Sequence, residues 1–489
     1  MFKSTCLLLW GCLVTGALAA QRPADNLSVT HHQLKTGNGL LNYTATTGYM
    51  PIRDEKDSLL ARLFFVAYTK DGETDPGRRP ILFAFNGGPG SASLWLHMGV
   101  LGPRRVVTTD EGLPLPPPYR YQDNEYSWLD RADLVFIDPM ETGYTRTAGK
   151  STKDEFIGYQ NDIRFVGDFI RLYLSRYARW GSPKFLAGES YGTTRAAGLS
   201  GYLQERYGIY LNGIVLISAI LNFQTVETDR GNDLPFALQL PTLAATAWYH
   251  KKLDARYSSL PALLREVQDF SLGEYSTALM KGDRLSSQER AAVVDKLHAY
   301  TGLSPQYLEQ TNLRLYVGRF NKELLRSEGK TVGRLDARIT GSDYDDAGES
   351  FEYDPSYDMA IYGTYAAVIN DYLRRELGYE NDLPYEVLTG RPSPWPLSQD
   401  HYLNVAETLR DAMTRNPSLQ VWICNGYYDM ATPYFATDYV VHHMFLRPDL
   451  RSHIRLTYYE AGHMMYIHKP SLVQMKKDFS GFLDSAIPK

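Results

Sequence analysis

Cysteine is scarce in this sequence: its 489 residues include 3 Cys, too few for a fold held together by many disulfides. No long basic run is present and the formal net charge is −5, which argues against nucleic acid as a partner. Beyond the first 20 residues, no apolar run is long enough to cross a bilayer, so we expect no stable membrane association. The 44% hydrophobic and 22% charged residues are instead typical of a large, folded globular protein.

The N-terminal residues 1–19 have the pattern of a secretory signal peptide. Lys3 precedes a short apolar run that ends in small residues up to Ala19. We therefore expect cleavage at this point and a secreted or periplasmic protein. An uncleaved membrane anchor and a lipoprotein signal at Cys12 are the alternatives.

The positions of the cysteines say more than their number. Cys6 and Cys12 both lie in the predicted signal peptide, so cleavage would leave Cys424 as the only thiol. We therefore expect an exported protein without an internal disulfide, stabilised by its hydrophobic core. Cys424 lies within an apolar run and is predicted to be a buried hydrophobic residue.

The middle of the sequence alternates between strand-like and helix-like segments. The segment 161–177 has apolar residues at helical spacing. Short apolar runs typical of buried strands occur at 63–68, 81–85, 134–137, 184–187, 214–217, 419–423 and 454–458. This order predicts an α/β fold with a mostly parallel central sheet.

The pattern of apolar residues becomes typical of helices between the runs 214–217 and 419–423. Ser286 and Glu289 form a capping-box pattern, and Ser304-Pro305 is typical of another helix start. We predict a core domain that is interrupted by a helical insertion. The predicted division is a signal peptide (1–19), a first part of the core (20–225), an insertion or cap (226–385) and a second part of the core (386–489).

The sequence Gly188-Glu189-Ser190-Tyr191-Gly192 is a G-x-S-x-G pattern directly after a predicted strand. Such a turn lifts the serine hydroxyl above the sheet, although the pattern alone also arises by chance. Asp429 and His463 follow two later predicted strands, in the order Ser, Asp, His that α/β-hydrolases use. We predict a triad in which His463 takes the Ser190 proton and Asp429 fixes the imidazole tautomer.

A second glycine-rich segment, Asn86-Gly87-Gly88-Pro89-Gly90, directly follows the predicted strand 81–85. Glycines let backbone N–H groups approach a substrate oxygen closely, as an oxyanion hole requires. We predict that the Gly88 and Tyr191 amides are the donors of this oxyanion hole. A sharp turn without that role is the alternative.

Taken together, these motifs resemble the successive signatures of the serine carboxypeptidases. The resemblance spans roughly residues 60–485, and the segment 86–106 is similar to bacterial members. The motifs that carry it are Asn86-Gly87-Gly88-Pro89-Gly90, Leu101-Gly102-Pro103, Asn124-Glu125-Tyr126-Ser127-Trp128, Gly188-Glu189-Ser190-Tyr191-Gly192, Asn425-Gly426-Tyr427-Tyr428-Asp429 and Ala461-Gly462-His463-Met464.

The resemblance implies an α/β-hydrolase fold with a helical insertion over the active site. It also implies release of C-terminal amino acids from peptides with a free C-terminus, favoured at acidic pH. By the same resemblance, Asn86, the Gly87 amide and Glu189 bind the terminal carboxylate of the substrate. A carboxyl group can hydrogen-bond a carboxylate only when one of the two holds a proton, which agrees with acid-favoured binding. A purely structural role for Glu189 is the alternative.

Three positions depart from the family pattern. Ala84 stands where the family commonly has Trp, Val100 where it commonly has an acid, and Ser91 where it commonly has Cys. The first two changes put recognition of the carboxylate in question, while the triad is unaffected. An esterase or acyltransferase with the same triad is therefore the alternative enzyme. A catalytically inactive binding protein is disfavoured, because all triad residues are present.

No metal site or cofactor is predicted. Asp343, Asp345 and Asp354 are spaced roughly as in a calcium loop, but Ala347 occupies a ligand position. The histidines have no acid or cysteine at a spacing suited to zinc.

Overall fold

The computed structural model describes residues 26–37, 39–397 and 401–487, so the predicted signal peptide lies outside the described residues. The strands are β1 (Ser28–Thr36), β2 (Gly39–Arg53), β3 (Leu59–Lys70), β4 (Ile81–Phe85), β5 (Arg104–Val106), β6 (Tyr121–Asp123), β7 (Asp133–Ile137), β8 (Arg146–Thr147), β9 (Lys184–Glu189), β10 (Gly213–Ile217), β11 (Thr331–Val332), β12 (Thr340–Gly341), β13 (Gln420–Gly426) and β14 (Ile454–Tyr459).

The α-helices are α1 (Leu94–Leu96), α2 (Tyr159–Arg176), α3 (Tyr191–Tyr207), α4 (Leu234–Tyr249), α5 (Leu260–Phe270), α6 (Ser276–Lys281), α7 (Ser287–Thr301), α8 (Pro305–Gln310), α9 (Val317–Glu323), α10 (Gly363–Arg375), α11 (Ala406–Arg415), α12 (Tyr434–His443), α13 (Pro448–Arg451) and α14 (Lys469–Ala486). π-Helical turns occupy His97–Leu101, Ser271–Tyr275 and Pro355–Tyr362. Short 3₁₀ turns occupy Pro76–Arg78, Trp128–Asp130, Lys153–Glu155, Phe223–Thr225, Gly282–Arg284, Arg326–Glu328 and Met465–Ile467.

The main sheet is mostly parallel, as predicted. Within the described part of the chain its order is β1-β2-β3-β7-β4-β9-β10-β13-β14, with β8 beside β3. Neighbouring strands from β7 to β14 run parallel, whereas β1, β2 and β3 pair antiparallel. The carboxyl ends of the parallel strands meet at one edge, which is where open α/β sheets place ligands.

Helices cover both faces of this sheet. Side chains alternate between the faces along each strand, so Phe83 and Phe85 contribute to one core cluster and Leu82 to the other. Helices α2 and α3 pack on the first face, while α14 packs on the second through Phe479 and its neighbours. Strands buried on both faces must be apolar throughout, which explains why the sequence reveals them as continuous apolar runs.

Several predicted elements are confirmed with small shifts of their ends. The predicted strand 81–85 is β4, and the predicted helix 161–177 is α2. The hydroxyl of Ser286 accepts a hydrogen bond from the Glu289 amide at the start of α7, which confirms the capping box. Strands β1 and β2 were not predicted from the sequence, because these peripheral strands are partly exposed and contain no continuous apolar run.

The chain between β10 and β13 carries helices α4 to α11 and the small β11–β12 ribbon. The apolar side chains of α4 to α9 form a third core cluster, in which Leu240, Val267 and Leu297 are buried. Residues of α12, including Tyr434, belong to the same cluster and connect it to the sheet. None of the helices described in this structure is both long and apolar enough to cross a membrane.

Candidate active site

Ser190 lies in the tight turn between β9 and α3. Its backbone φ is 59°, a left-handed conformation that costs a non-glycine residue about 1–3 kcal/mol. The turn is held by a 3.0 Å hydrogen bond from the Ser190 amide to the Ile217 carbonyl and by a 2.8 Å bond from the Thr193 amide to the Ser190 carbonyl. Such strain at a serine above a parallel sheet is typical of a nucleophile elbow.

Asp429 and His463 meet beyond the ends of β13 and β14. Nδ1 of His463 lies 2.8 Å from Oδ2 of Asp429, and both side chains are buried. The other carboxylate oxygen of Asp429 accepts hydrogen bonds from the amides of Ala431 (2.8 Å) and Thr432 (3.0 Å). When Nδ1 donates its proton to Asp429, Nε2 is free to accept a proton from a nucleophile.

The two groups shift each other's pKa in opposite directions. Burial alone would lower the pKa of His463, but the charge and hydrogen bond of Asp429 outweigh it, so the pKa lies above its ordinary value. Burial alone would raise the pKa of Asp429, but His463 and Thr432 outweigh it, so this pKa lies below its ordinary value. Asp429 therefore stays ionised and stabilises a proton on the imidazole.

One cavity of about 320 Å³ brings most of the predicted site residues together. That volume suits a small ligand or the end of a peptide. Its polar lining residues are Asn86, Ser91, Glu189, Ser190, Arg334, Asp354 and His463, together with Gly87, Gly88 and Pro89 of the glycine-rich loop. Its apolar lining residues are Trp95, Leu335, Tyr357, Ile361, Leu388 and Met464. Asp429 is buried behind His463, and Tyr191 is the first residue of α3.

The glycine-rich loop after β4 packs directly against the start of α3. A Cβ on Gly87 would lie 2.7 Å from the Gly192 nitrogen and would also collide with the Tyr191 nitrogen, so only glycine fits. Gly88 has a φ of 98°, which also favours glycine. The loop thus lies beside the N-terminus of a helix, where partial positive charge favours a developing anion.

Glu189 lies at the floor of the same cavity and is 3% exposed. Its Oε1 accepts a 2.9 Å hydrogen bond from Nδ2 of Asn86, and its Oε2 accepts a 2.6 Å bond from the hydroxyl of Tyr466. Oδ1 of Asn86 accepts a 3.1 Å hydrogen bond from the Leu96 amide, and this bond keeps the NH₂ group of Asn86 oriented towards Glu189. An NH₂ group has two donors, so Asn86 keeps one for a ligand.

Burial raises the pKa of Glu189 to about 7, even though the nearby His463 and the bonds from Tyr466 and Asn86 favour the charged form. The charge of Asp429 adds to the increase. A carboxyl group with this pKa holds its proton in mildly acidic solution. It can then donate a hydrogen bond to a carboxylate ligand.

Tyr466 was not anticipated from the sequence. Its hydroxyl reaches Glu189, whereas the buried side chain of Val100 offers no hydrogen bond. The ring fits because residue 99 is glycine: a Cβ there would lie 2.7 Å from Cδ2 of Tyr466. The spacing of three residues from His463 gives no hint of this contact, which depends on how the loop after β14 turns back under Glu189.

Thr432 is a second contact that the sequence analysis missed. Its hydroxyl donates a 2.6 Å hydrogen bond to Oδ2 of Asp429, the same oxygen that His463 contacts. The sequence does contain a signal for this contact. An Asp followed closely by Thr is typical of a local turn in which the carboxylate accepts hydrogen bonds from nearby backbone amides. Thr432 therefore helps to fix the orientation of Asp429.

The acidic residues whose spacing is roughly that of a calcium loop form a different arrangement. Asp343 accepts a 2.7 Å hydrogen bond from the buried ammonium of Lys322 and a 2.9 Å bond from Thr331. The buried ammonium of Lys322 thus neutralises the charge of Asp343. Across the described ranges, no cluster of three His, Cys, Asp or Glu side chains is suited to a metal ion. Cys424 is buried in β13, and burial raises the pKa of its thiol.

A family model described as serine carboxypeptidase matches residues 36–465. The chain belongs to the serine carboxypeptidase family. A solved structure, a prohormone-processing carboxypeptidase of Saccharomyces cerevisiae called Kex1, shares the fold of this serine carboxypeptidase family member. The TM-score is 0.55 at 18% identity, covering 90% of this chain and 91% of that chain. The predicted α/β-hydrolase fold is therefore confirmed.

Curated relatives match this serine carboxypeptidase family member over shorter segments. Serine carboxypeptidase-like 33 of Arabidopsis thaliana is 28% identical over 33% of this chain and 31% of its own length. Carboxypeptidase Y of Saccharomyces cerevisiae is 28% identical over 31% of this chain and 25% of its own length. The pheromone-processing carboxypeptidase KEX1 of the same yeast is 33% identical over 29% of this chain and 20% of its own length. The chain thus spans between a fifth and a third of the length of these relatives.

Proposed function

We propose that this protein is a serine carboxypeptidase that removes the last residue from peptides with a free C-terminus. The observation that carries the proposal is the single cavity shared by Ser190, His463 and Glu189. A nucleophile with its base and a carboxyl group that holds a proton near neutral pH lie within reach of one small ligand. The first two fit acyl transfer, and the third fits a terminal carboxylate.

In the proposed reaction, the Ser190 hydroxyl attacks the carbonyl carbon of the last peptide bond while Nε2 of His463 accepts its proton. The oxyanion that forms is stabilised by the N–H groups of Gly88 and Tyr191. His463 then donates the proton to the leaving amine, and the C-terminal amino acid departs. An acyl-enzyme on Ser190 remains. Water, deprotonated by His463, hydrolyses it and releases the shortened peptide.

Recognition of the free C-terminus is assigned to Asn86, the Gly87 amide and Glu189. The second N–H of Asn86 and the Gly87 N–H donate to the substrate carboxylate. Protonated Glu189 donates a third hydrogen bond, and its pKa of about 7 supports acid-favoured activity. Ionised Glu189 would repel the substrate carboxylate.

We further propose that the protein is exported and then cleaved near Ala19, on the basis of the pattern in residues 1–19. The helical segment between β10 and β13 is proposed to form a cap on the hydrolase core, since Arg334, Tyr357 and Ile361 from it line the cavity. N-terminal sequencing of protein recovered outside the cytoplasm tests the cleavage.

A comparison of three substrates tests the proposed function. A blocked dipeptide acid, its C-terminal amide and a simple ester of the same acyl group are incubated with the enzyme. We expect preference for the acid, and loss of that preference in Glu189→Ala. Equal turnover of the acid and the amide would favour an esterase or acyltransferase and contradict the carboxypeptidase assignment.

The nucleophile is tested separately. Ser190→Ala should lower kcat by about a thousandfold or more, because the other triad members act only through the serine. Ser200→Ala is the matched control, since Ser200 lies on the same helix and its hydroxyl bonds locally to the Ala197 carbonyl. Mass spectrometry of enzyme quenched during ester turnover should show one acyl group on Ser190. Full activity of Ser190→Ala would overturn the mechanism.

A further inference from the structure

The backbone around Arg334 is held between the two loops that carry Asp429 and His463. The carbonyl of Arg334 accepts a 3.1 Å hydrogen bond from the Met430 amide, next to Asp429. The carbonyl of Leu335 accepts a 2.6 Å bond from the His463 amide. Arg334 is therefore fixed relative to the catalytic residues by the same contacts that position their loops.

The side chain of Arg334 lines the cavity and has no partner of its own. Among the residues that the structure describes, its guanidinium makes no hydrogen bond or ion pair, although its charge acts on His463. Arg338, four residues later, shows the contrast: its guanidinium binds both carboxylate oxygens of Asp336, at 3.0 and 2.7 Å. Arg334 is an exposed residue, so its unpaired guanidinium is available both to solvent and to the contents of the cavity.

Neither of the two carboxylates that the structure places in the cavity forms an ion pair with the Arg334 side chain. The carboxylate oxygens of Asp354 accept hydrogen bonds from neutral donors. These donors are the backbone amides of Arg334, Leu335 and Ser356 and the hydroxyl of Ser356. Glu189 is held by Asn86 and Tyr466 and carries a proton in mildly acidic solution. The remaining wall is largely apolar, with Trp95, Ile361 and Met464 among its residues.

The orientation of the substrate follows from the proposed function, on which this step rests. The terminal carboxylate lies at Asn86 and Glu189, and the scissile nitrogen lies beside His463, which protonates it. The side chain of the last residue projects from the carbon between those two groups, so it enters the cavity that Arg334 lines. We propose that Arg334 selects substrates whose C-terminal residue is acidic, glutamate or aspartate. A guanidinium pairs with a carboxylate through two parallel hydrogen bonds, which an uncharged side chain cannot match.

The test compares blocked dipeptides that differ only in the last residue: Glu, its isostere Gln, Leu and Lys. Assays are run at pH 5.5 and low salt, where a Glu side chain is mostly ionised. In the wild type, we expect kcat/KM for the Glu substrate to exceed that for Gln about tenfold. In Arg334→Gln this ratio should fall to about one, while kcat/KM for the Leu substrate changes about twofold at most. Arg334→Lys should retain part of the preference, and Arg334→Glu should favour the Lys substrate.

Arg265→Gln is the matched control for a change in net charge, because Arg265 is exposed on α5 and lies outside the cavity lining. Its Glu-to-Gln ratio should equal that of the wild type. Equal rates for Glu and Gln in the wild type, or an unchanged ratio in Arg334→Gln, would overturn the inference. An equal loss on all four substrates would also overturn it, since Arg334 would then act on the terminal carboxylate or on His463 and not on the side chain of the last residue. Failure of the wild type to cleave any of these substrates would instead refute the proposed function and the inference with it.

Discussion

The hydroxyl of Tyr466 donates a 2.6 Å hydrogen bond to Oε2 of Glu189, and both side chains are buried. A buried hydroxyl that donates to a carboxylate favours the charged form of that carboxylate. Burial acts in the opposite direction and raises the pKa of Glu189 to about 7. Tyr466 thus limits how far this pKa rises, and it holds the carboxyl group in place below the cavity.

The first prediction concerns this contact. Tyr466→Phe removes the donor, so the pKa of Glu189 should increase and the protonated form should persist to higher pH. We expect kcat/KM for a peptide acid, divided by that for a matched ester, to decline at a pH about one unit higher than in the wild type. Tyr365→Phe is the control, because Tyr365 packs beside Tyr466 and the described contacts of Glu189 include no bond from it. An unchanged or lower midpoint would contradict this role.

The second prediction concerns the wild-type pH dependence. In the proposed function, protonated Glu189 binds the substrate carboxylate, and an ester without that carboxylate does not need it. The acid-to-ester ratio of kcat/KM should therefore be high below pH 6 and fall as the pH rises through about 7. Dividing by the ester rate cancels the titration of His463, which both substrates share. In Glu189→Gln, whose neutral NH₂ group can still donate a hydrogen bond, the ratio should stay high and be independent of pH; a ratio that still fell near pH 7 would assign the titration to another group.

The third prediction tests Thr432 as a positioning residue for Asp429. Thr432→Val keeps the shape of the side chain but removes the 2.6 Å hydrogen bond. We expect kcat/KM for both esters and peptide acids to fall about tenfold, since a bond to a charged group is lost. The pH at which ester activity rises should also increase. Without the bond from Thr432, the negative charge of Asp429 is less stabilised, so it raises the pKa of His463 further. Thr432→Ser should restore most of the activity; a Val variant with wild-type kinetics would refute the role.

The fourth prediction concerns the stability of the elbow. Arg195 on α3 pairs with Asp162 on α2 at 2.8 Å and donates a 2.6 Å bond to the Asn86 carbonyl. Both charges are buried, so Asp162→Asn should lower the free energy of unfolding by about 3–5 kcal/mol. Urea denaturation measures the change. Glu205→Gln breaks the exposed pair with Arg415 and should have little effect. Equal effects of the two variants would contradict this account.

The elements that are apolar on both faces could be recognised from the sequence. Strand β4 coincides with the predicted run 81–85, because burial between two helical layers requires every residue to be apolar. Strands β1 and β2 were missed for the converse reason, since one side of each is partly exposed. The pattern of apolar residues along a strand reflects its burial, so this signal is weakest for strands at the periphery of a sheet.

The sequence by itself determined the order of strands and turns, the residues that fold into the elbow and the glycine loop, and membership of the family, because each depends on neighbours along the chain. Only the tertiary structure decided which distant side chains complete the site. Tyr466 below Glu189 and Arg334 on the cavity wall are brought there by loops that are far from Glu189 in the chain. Such contacts arise from packing across many residues, and no local pattern encodes them.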